Sequence, residues 1–213
     1  VIARTAFLAK GYYEPSANRL TRLLERIAGD ELTVVDAGCG EGYYLEAIDS
    51  RAGKQLHLVG FDISKWAIQR AARRGAATWL VASNKRLPLA DDSADVVLDM
   101  FGFPDFDSFQ RILKPNGRLF CVTPAAQHLI ELRKIIYPHV KQTSDRDYPV
   151  PFTLVARETL TYGLTLAQQD LDNLLAMTPH LYRAPKEGLT RLKNLKQLEI
   201  TVDVNIDELR LHL

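Results

Sequence analysis

The feature that most limits what this chain can become is the segment Val34-Val35-Asp36-Ala37-Gly38-Cys39-Gly40-Glu41-Gly42-Tyr43. Leu32 to Asp36 is a short apolar, β-branched run that stops at a glycine cluster, the pattern of a buried strand. Glycines at that point let the backbone turn tightly and approach a ligand without Cβ clashes. Tyr43 to Ser50 then reads as a helix. Strand, glycine turn and helix in that order belong to open α/β sheets, where ligands bind beyond the carboxyl ends of the strands.

The rest of the chain extends the pattern. A helix is expected over Ala17 to Ala28, with Leu20, Leu23, Leu24 and Ile27 at helical spacing. His57 to Asp62, Ala77 to Ala82, Ala94 to Met100 and Arg118 to Thr123 read as further strands. Ser64 suits the N-cap of a helix over Lys65 to Arg74. Phe106 to Leu113 reads as a helix ended by the turn sequence Lys114-Pro115-Asn116-Gly117, and His128 to Tyr137 as another. Lys141 to Pro151 is polar and loop-like. Thr153 to Leu166 is strand-like, Gln168 to Met177 and Lys186 to Leu195 are helical, and Leu198 to Ile206 alternates like a strand. Alternating strands and helices predict an α/β, Rossmann-like fold: a seven-stranded, mostly parallel sheet with helices on both faces and a closing hairpin. Residues 1–30 are expected to form an N-terminal arm and helix, and residues 31–213 the main domain.

The acids around the glycines narrow the ligand. Dinucleotide sites use G-x-G-x-x-G and set a pyrophosphate on the helix N-terminus. Here the spacing is G-x-G-x-G, and Asp36 precedes it. That acid would repel a pyrophosphate and suits the positively charged amino-acid end of S-adenosylmethionine. Asp62 closes the second strand about 20 residues beyond Gly42, where an acid accepts hydrogen bonds from ribose hydroxyls. Gly38, Gly40, Gly42, Tyr43, Ile63, Ser83 and Asn84 complete the candidate cofactor set, the last two standing where an adenine edge would be read.

Composition excludes little else. The 213 residues are 46% hydrophobic and 25% charged, which argues against global disorder. A net charge of +1 leaves any polyanionic partner to local clusters. Cys39 and Cys121, the two cysteines, have no metal-ligand spacing and fit a reducing cytoplasm, so no metal site is expected. No apolar run approaches the roughly 18 residues of a membrane span.

The stretches VVDAGCGEGYY, GFDISKWAI and LPLADDSADVVLDMF resemble class I methyltransferases. Three further segments are similar to the 23S ribosomal RNA guanine-N1 methyltransferases, the RlmA family. They are the arm Ala6-Phe7-Leu8-Ala9-Lys10-Gly11-Tyr12-Tyr13-Glu14-Pro15, the run from Thr123-Pro124 through His128 to Arg133 and Ile136-Tyr137, and Leu174 to Pro179 with Arg183-Ala184. Asp99-Met100-Phe101-Gly102-Phe103-Pro104 resembles the Gram-positive members. The resemblance implies S-adenosylmethionine as cofactor and a 23S ribosomal RNA hairpin as partner. It also implies a cysteine-paired, zinc-binding module that these residues do not contain. Because the chain starts at Val1, such a module ahead of it is the expectation, against a relative that lacks one.

The expected reaction is methyl transfer to guanine N1 of 23S ribosomal RNA. Guanine N1 carries a proton that must leave, and Asp99, after the fourth strand, is the candidate base. Tyr12, Tyr13, Phe101, His128 and Arg133 are candidate substrate residues, with core packing the competing reading for the aromatic rings, a helix cap for His128 and a solvated face for Arg133. Basic clusters, among them Lys134, Lys141, Lys186, Arg191 and Lys193, suit phosphates or simply a solvated face. Two other functions stay open: a metabolite or quinone-type small-molecule methyltransferase, and a binding protein that keeps the cofactor site but has lost catalysis, or that confers antibiotic resistance by occupying ribosomal RNA. The oligomeric state is not legible, a homodimer included.

Overall fold

The structure, a computed structural model, describes residues 1–75 and 77–211. Ala76, His212 and Leu213 lie outside the described residues, so the domain expected to run to residue 213 is described to Leu211.

The chain runs α1 (Ile2–Leu8), α2 (Glu14–Glu25), β1 (Glu31–Ala37), α3 (Tyr43–Asp49), β2 (Gln55–Asp62), α4 (Lys65–Ala71) and β3 (Thr78–Val81). It continues with β4 (Ala94–Met100), α5 (Phe106–Ile112), β5 (Leu113–Pro124), α6 (Ile130–Ile136), β6 (Phe152–Ala167), α7 (Gln168–Ala176), α8 (His180–Arg183), α9 (Lys186–Lys193) and β7 (Gln197–Leu211). The seven strands form one sheet in the order β3-β2-β1-β4-β5-β7-β6. β1 pairs in parallel with β2 and β4, β2 with β3, and β4 with β5. The expected mostly parallel, seven-stranded α/β architecture is therefore the observed one.

Helix starts follow their sequence signals. Ser64 accepts the Ala67 N–H at 3.3 Å and caps α4. Asp105 accepts the Ser108 N–H at 3.1 Å and caps α5. Pro15 stands in the first turn of α2, which begins at Glu14 rather than Ala17, because proline tolerates that position.

Further expectations need correction. The turn Lys114-Pro115-Asn116-Gly117 does not precede the fifth strand but interrupts it. Leu113 already pairs with Ala94, the register then shifts, and Arg118 pairs with Val96. Asn116 takes φ +68 there, as asparagine tolerates better than most residues. The helix expected from His128 starts only at Ile130, because Leu129 adopts the left-handed conformation (φ +52) and breaks the turn.

Contacts divide the chain into two compact units. The larger holds Tyr13–Thr123, Asp147–Glu158 and the residues from Ile206 on. Its core gathers Val35, Ala37, Phe61, Val97, Phe109, Ile112, Leu119 and Cys121. Phe109 and Ile112 are fully buried, each contributing about 1.5–3 kcal/mol of apolar burial. The smaller unit holds Val1–Tyr12, Pro124–Arg146 and Thr159–Asn205, with α1 packed on α7 and α6 on α9. Hydroxyls on β6 meet acceptors on β7: Thr161 donates to Asp203 at 2.7 Å, and Thr159 meets Asn205 at 2.9 Å. Advancing two residues on one strand retreats two on the other, so these strands run antiparallel. Among the described residues, no helix is long and apolar enough to cross a membrane.

Candidate functional site

The glycine loop closes directly onto the end of β2. Gly38 and Cys39 N–H both donate to the Phe61 carbonyl at 2.9 Å. The Gly40 N–H donates to Asp62 Oδ2 at 3.0 Å, and the Ser64 N–H to Asp62 Oδ1 at 2.8 Å. Gly42 takes φ +82 as the residue before α3. There the Trp79 indole fills its side-chain space, with Cη2 2.5 Å from the position of a Cβ. Gly38 takes φ +77, is exposed, and has no heavy atom within 4 Å of its Cβ position.

Strand register sets the acids. Asp36 pairs with Gly60 on one side and Leu98 on the other, while Ala37 pairs with Asp99. Side chains alternate along a strand, so Asp36 and Asp99 leave the sheet on opposite faces at neighbouring positions. Both are fully buried. Gly102 lies against Asp99, whose Oδ1 stands where a Cβ on that glycine would be. Phe101 adopts φ +57, a conformation that costs a non-glycine residue about 1–2 kcal/mol. Its ring meets Tyr13, a residue 4% exposed, edge to face at 6.1 Å between centroids.

The remaining cofactor candidates lie at the start of α3 and after β2 and β3. Tyr43 opens α3, and its ring packs edge to face on Tyr44 at 5.1 Å. Burial, then the nearby Glu14 carboxylate, raises the Tyr43 phenol above its ordinary pKa. Ile63 is 79% exposed directly after Asp62. Ser83 Oγ accepts the Lys85 N–H at 3.3 Å. Asn84 donates through Nδ2 to the Phe103 carbonyl at 2.6 Å, leaving Oδ1 buried with no hydrogen-bond partner among the described residues.

This donor and acceptor set fits S-adenosylmethionine. Asn84 Oδ1 is a buried acceptor in want of a donor such as the adenine amine. Asp62 keeps a second lone pair on each oxygen for ribose hydroxyls. The open space above Gly38 admits a ligand atom where any other residue would place a Cβ.

Tyr12, His128 and Arg133 belong to the smaller unit. The Tyr12 hydroxyl donates to Asp170 at 2.9 Å, beside the Lys10 ammonium, and its ring lies 4.8 Å from Phe7. Tyr162 donates to the Tyr12 carbonyl at 3.0 Å. His128 does not cap a helix: its Nδ1 accepts the Asp203 N–H at 3.2 Å. Burial pushes this imidazole down to about 4, against the opposing pull of Asp203. Arg133 reaches back to the carbonyls of Ala126 and His128, both at 3.4 Å, and to that of Lys141. Sequence reasoning missed Trp79, whose signal was the pairing of a large ring with Gly60 across β2 and β3.

Comparison with known proteins identifies the family. The methyltransferase domain family matches residues 34–117. Bacillus subtilis YxjB, named for 23S rRNA guanine-N1 methylation, is 36% identical over 92% of this chain and 73% of its own length. The Streptomyces fradiae 23S rRNA (guanine(748)-N(1))-methyltransferase is 32% identical over 96% of this chain and 76% of its own. A type II methyltransferase structure from Anaeromyxobacter dehalogenans shares the fold at TM-score 0.62 and 20% identity, over 89% of this chain and 94% of that one. The chain belongs to the 23S rRNA (guanine-N1)-methyltransferase family of class I, S-adenosylmethionine-dependent methyltransferases.

Proposed function

We propose that this chain methylates guanine N1 in a hairpin of 23S ribosomal RNA, in the cytoplasm, with residues 31–213 as the methyltransferase domain and residues 1–30 as its arm. The observation that carries the reading is likeness along nearly the whole chain to relatives named for that reaction. The bound cofactor supplies a methyl group already activated on a sulfonium. Asp62 and Asn84 hold the nucleoside end by accepting its hydroxyl and amine protons, and the Gly38 turn keeps the backbone clear of it. Correct alignment of the acceptor then provides most of the rate gain.

Asp99 is the proposed base for the guanine N1 proton, and Tyr13 with Phe101 the proposed wall of the base pocket. Asp99 has no exposed surface, so meeting a nucleobase requires the Phe101–Pro104 segment to shift. The left-handed Phe101 favours that segment as the one that moves.

The test is incubation with labelled S-adenosylmethionine and unmodified 23S ribosomal RNA, followed by mass mapping and reverse transcription. The expected product is one methylated guanine that stops reverse transcriptase, because N1 lies on the Watson–Crick edge. Label found only on small metabolites would overturn the reading.

A further inference from the structure

Within the smaller unit, three helices converge on one strongly basic surface. α6 carries Arg133 and Lys134 in its last turn. α9 docks on the end of α6 so closely that a Cβ on Gly188 would collide with the Ile136 backbone. Arg191 Nε donates to the Ile135 carbonyl at 3.0 Å across the same junction. α8 joins through Tyr137 and His180, whose hydroxyl and Nδ1 lie 2.9 Å apart. Burial lowers the His180 pKa, and Arg133 and Arg183 lower it further, so both guanidinium groups act on this spot. Lys186 and Lys193 extend the charge along α9, against the single acid Glu187 from His180 to Lys193. On α6, Glu131 is already engaged by the Thr201 N–H and hydroxyl at 2.8 and 2.7 Å.

Tyr182 precedes Arg183 on α8 and is 86% exposed. Its ring therefore adds almost nothing to folding. The short α8 that presents it lies between Pro179 and Pro185, which hold its ends in fixed φ. A solvent-facing aromatic ring beside an arginine, on a helix joined to this basic surface, complements unpaired RNA, which offers base faces for stacking and phosphates for neutralisation. We propose that Tyr182, with Arg183 and Arg133, is a docking surface for unpaired nucleotides of an RNA loop, the ring stacking on a base and the guanidinium groups facing phosphates. The proposal rests on the reading of this chain as an RNA methyltransferase.

The experiment uses the whole chain, a fluorescein-labelled RNA hairpin with an unpaired loop, and unmodified 23S ribosomal RNA. Tyr182→Ala should weaken hairpin binding about tenfold, and Tyr182→Trp should restore it. Arg183→Gln should reduce the salt dependence of binding by about one unit of slope. The thermal midpoint and the affinity for S-adenosylmethionine should stay unchanged in all three variants. Hairpin binding that Tyr182→Ala leaves within about twofold of wild type overturns the docking surface, even where ribosomal RNA is methylated. A wild-type chain that binds no RNA also overturns it. Binding that depends on Tyr182, with no methyl transfer to ribosomal RNA, upholds the surface and overturns the guanine-N1 reading instead.

Discussion

Asp62 holds Gly40: its Oδ2 accepts the glycine N–H at 3.0 Å, while its Oδ1 accepts the Ser64 N–H at 2.8 Å. The acid at the end of β2 thus fixes the loop after β1, besides its proposed role of accepting the ribose hydroxyls of the cofactor. Asp62→Ala removes both roles at once. Hydrogen bonds to a charged group contribute about 1.5–3 kcal/mol, so affinity for S-adenosylmethionine should fall at least roughly tenfold by calorimetry. Asp62→Asn should fare little better, because its amide nitrogen would face a backbone N–H donor. Affinity unchanged in both variants would remove Asp62 from the site.

Gly42 and Gly38 should separate stability from binding. A Cβ at Gly42 would lie 2.5 Å from Trp79 Cη2 and 3.2 Å from Ala71 Cβ, on a backbone with φ +82. The left-handed conformation costs about 1–2 kcal/mol and overpacking about 1–3 more. Gly42→Ala should therefore lose about 2–5 kcal/mol in urea unfolding. Gly38→Ala meets no neighbour within 4 Å and should lose only the backbone cost, about 1–2 kcal/mol. Its added methyl enters the open space assigned to the cofactor, so binding should suffer more than folding. Equal stability losses in the two variants would contradict this division.

The acids that end β1 and β2 were legible because strand, glycines and acid follow one another within a few residues. The course of β7 was harder. Asp203 and Asn205 alternate with apolar residues, and the sequence reads as a strand from Leu198 that ends at Ile206, before Asp207. All three are buried, because Thr161, Thr159 and Arg157 on β6 satisfy them. A partner more than 40 residues away leaves no local signal. Tyr12 is similar: nothing near it in sequence announces Asp170. Trp79 looked like an ordinary strand residue until Gly42 and Gly60 were seen to make room for its ring.

Tyr12→Phe deletes one hydrogen bond to Asp170, a carboxylate that is 3% exposed. Lys10 stays on the same carboxylate through both oxygens, at 2.6 and 2.8 Å, and limits the damage. The loss of stability should be about 1–2 kcal/mol by chemical denaturation, with cofactor affinity unaltered. A variant as stable as wild type but slower on ribosomal RNA would instead make the Tyr12 hydroxyl a substrate contact.

Asp99→Asn tests the proposed base. The amide keeps the shape that packs against Gly102 but cannot take a proton. General-base loss costs about 100- to 10,000-fold, so turnover should fall by that order while affinity for S-adenosylmethionine changes little. Raising the pH should recover part of the rate, since guanine N1 then ionises without help. Unchanged turnover would exclude Asp99 from the chemistry.

His128 predicts how the smaller unit responds to acid. Its imidazole is buried, and its pKa is lowered from 6.5 to about 4 by that burial, with Asp203 opposing and His180 and Arg133 adding to the effect. A group whose folded pKa is depressed stabilises the fold fully above its unfolded pKa. Below that, the unfolded chain takes up the proton first, and stability drains as pH falls from about 6.5 toward 4. The shift corresponds to about 3 kcal/mol at most. His180 is lowered too and adds a loss of the same sign. Glu131 is held below 4.5 by its Thr201 hydrogen bonds, against the opposing effect of burial, so its contribution is lost at lower pH. Above about pH 4.5 both imidazoles therefore lower stability as the pH falls. His128→Gln keeps an acceptor for the Asp203 N–H and removes the titration, so its stability should decline much less between about pH 6.5 and 4.5. Urea unfolding of both proteins across that range checks it, and parallel pH profiles would show that His128 is protonated equally in the folded and unfolded chains.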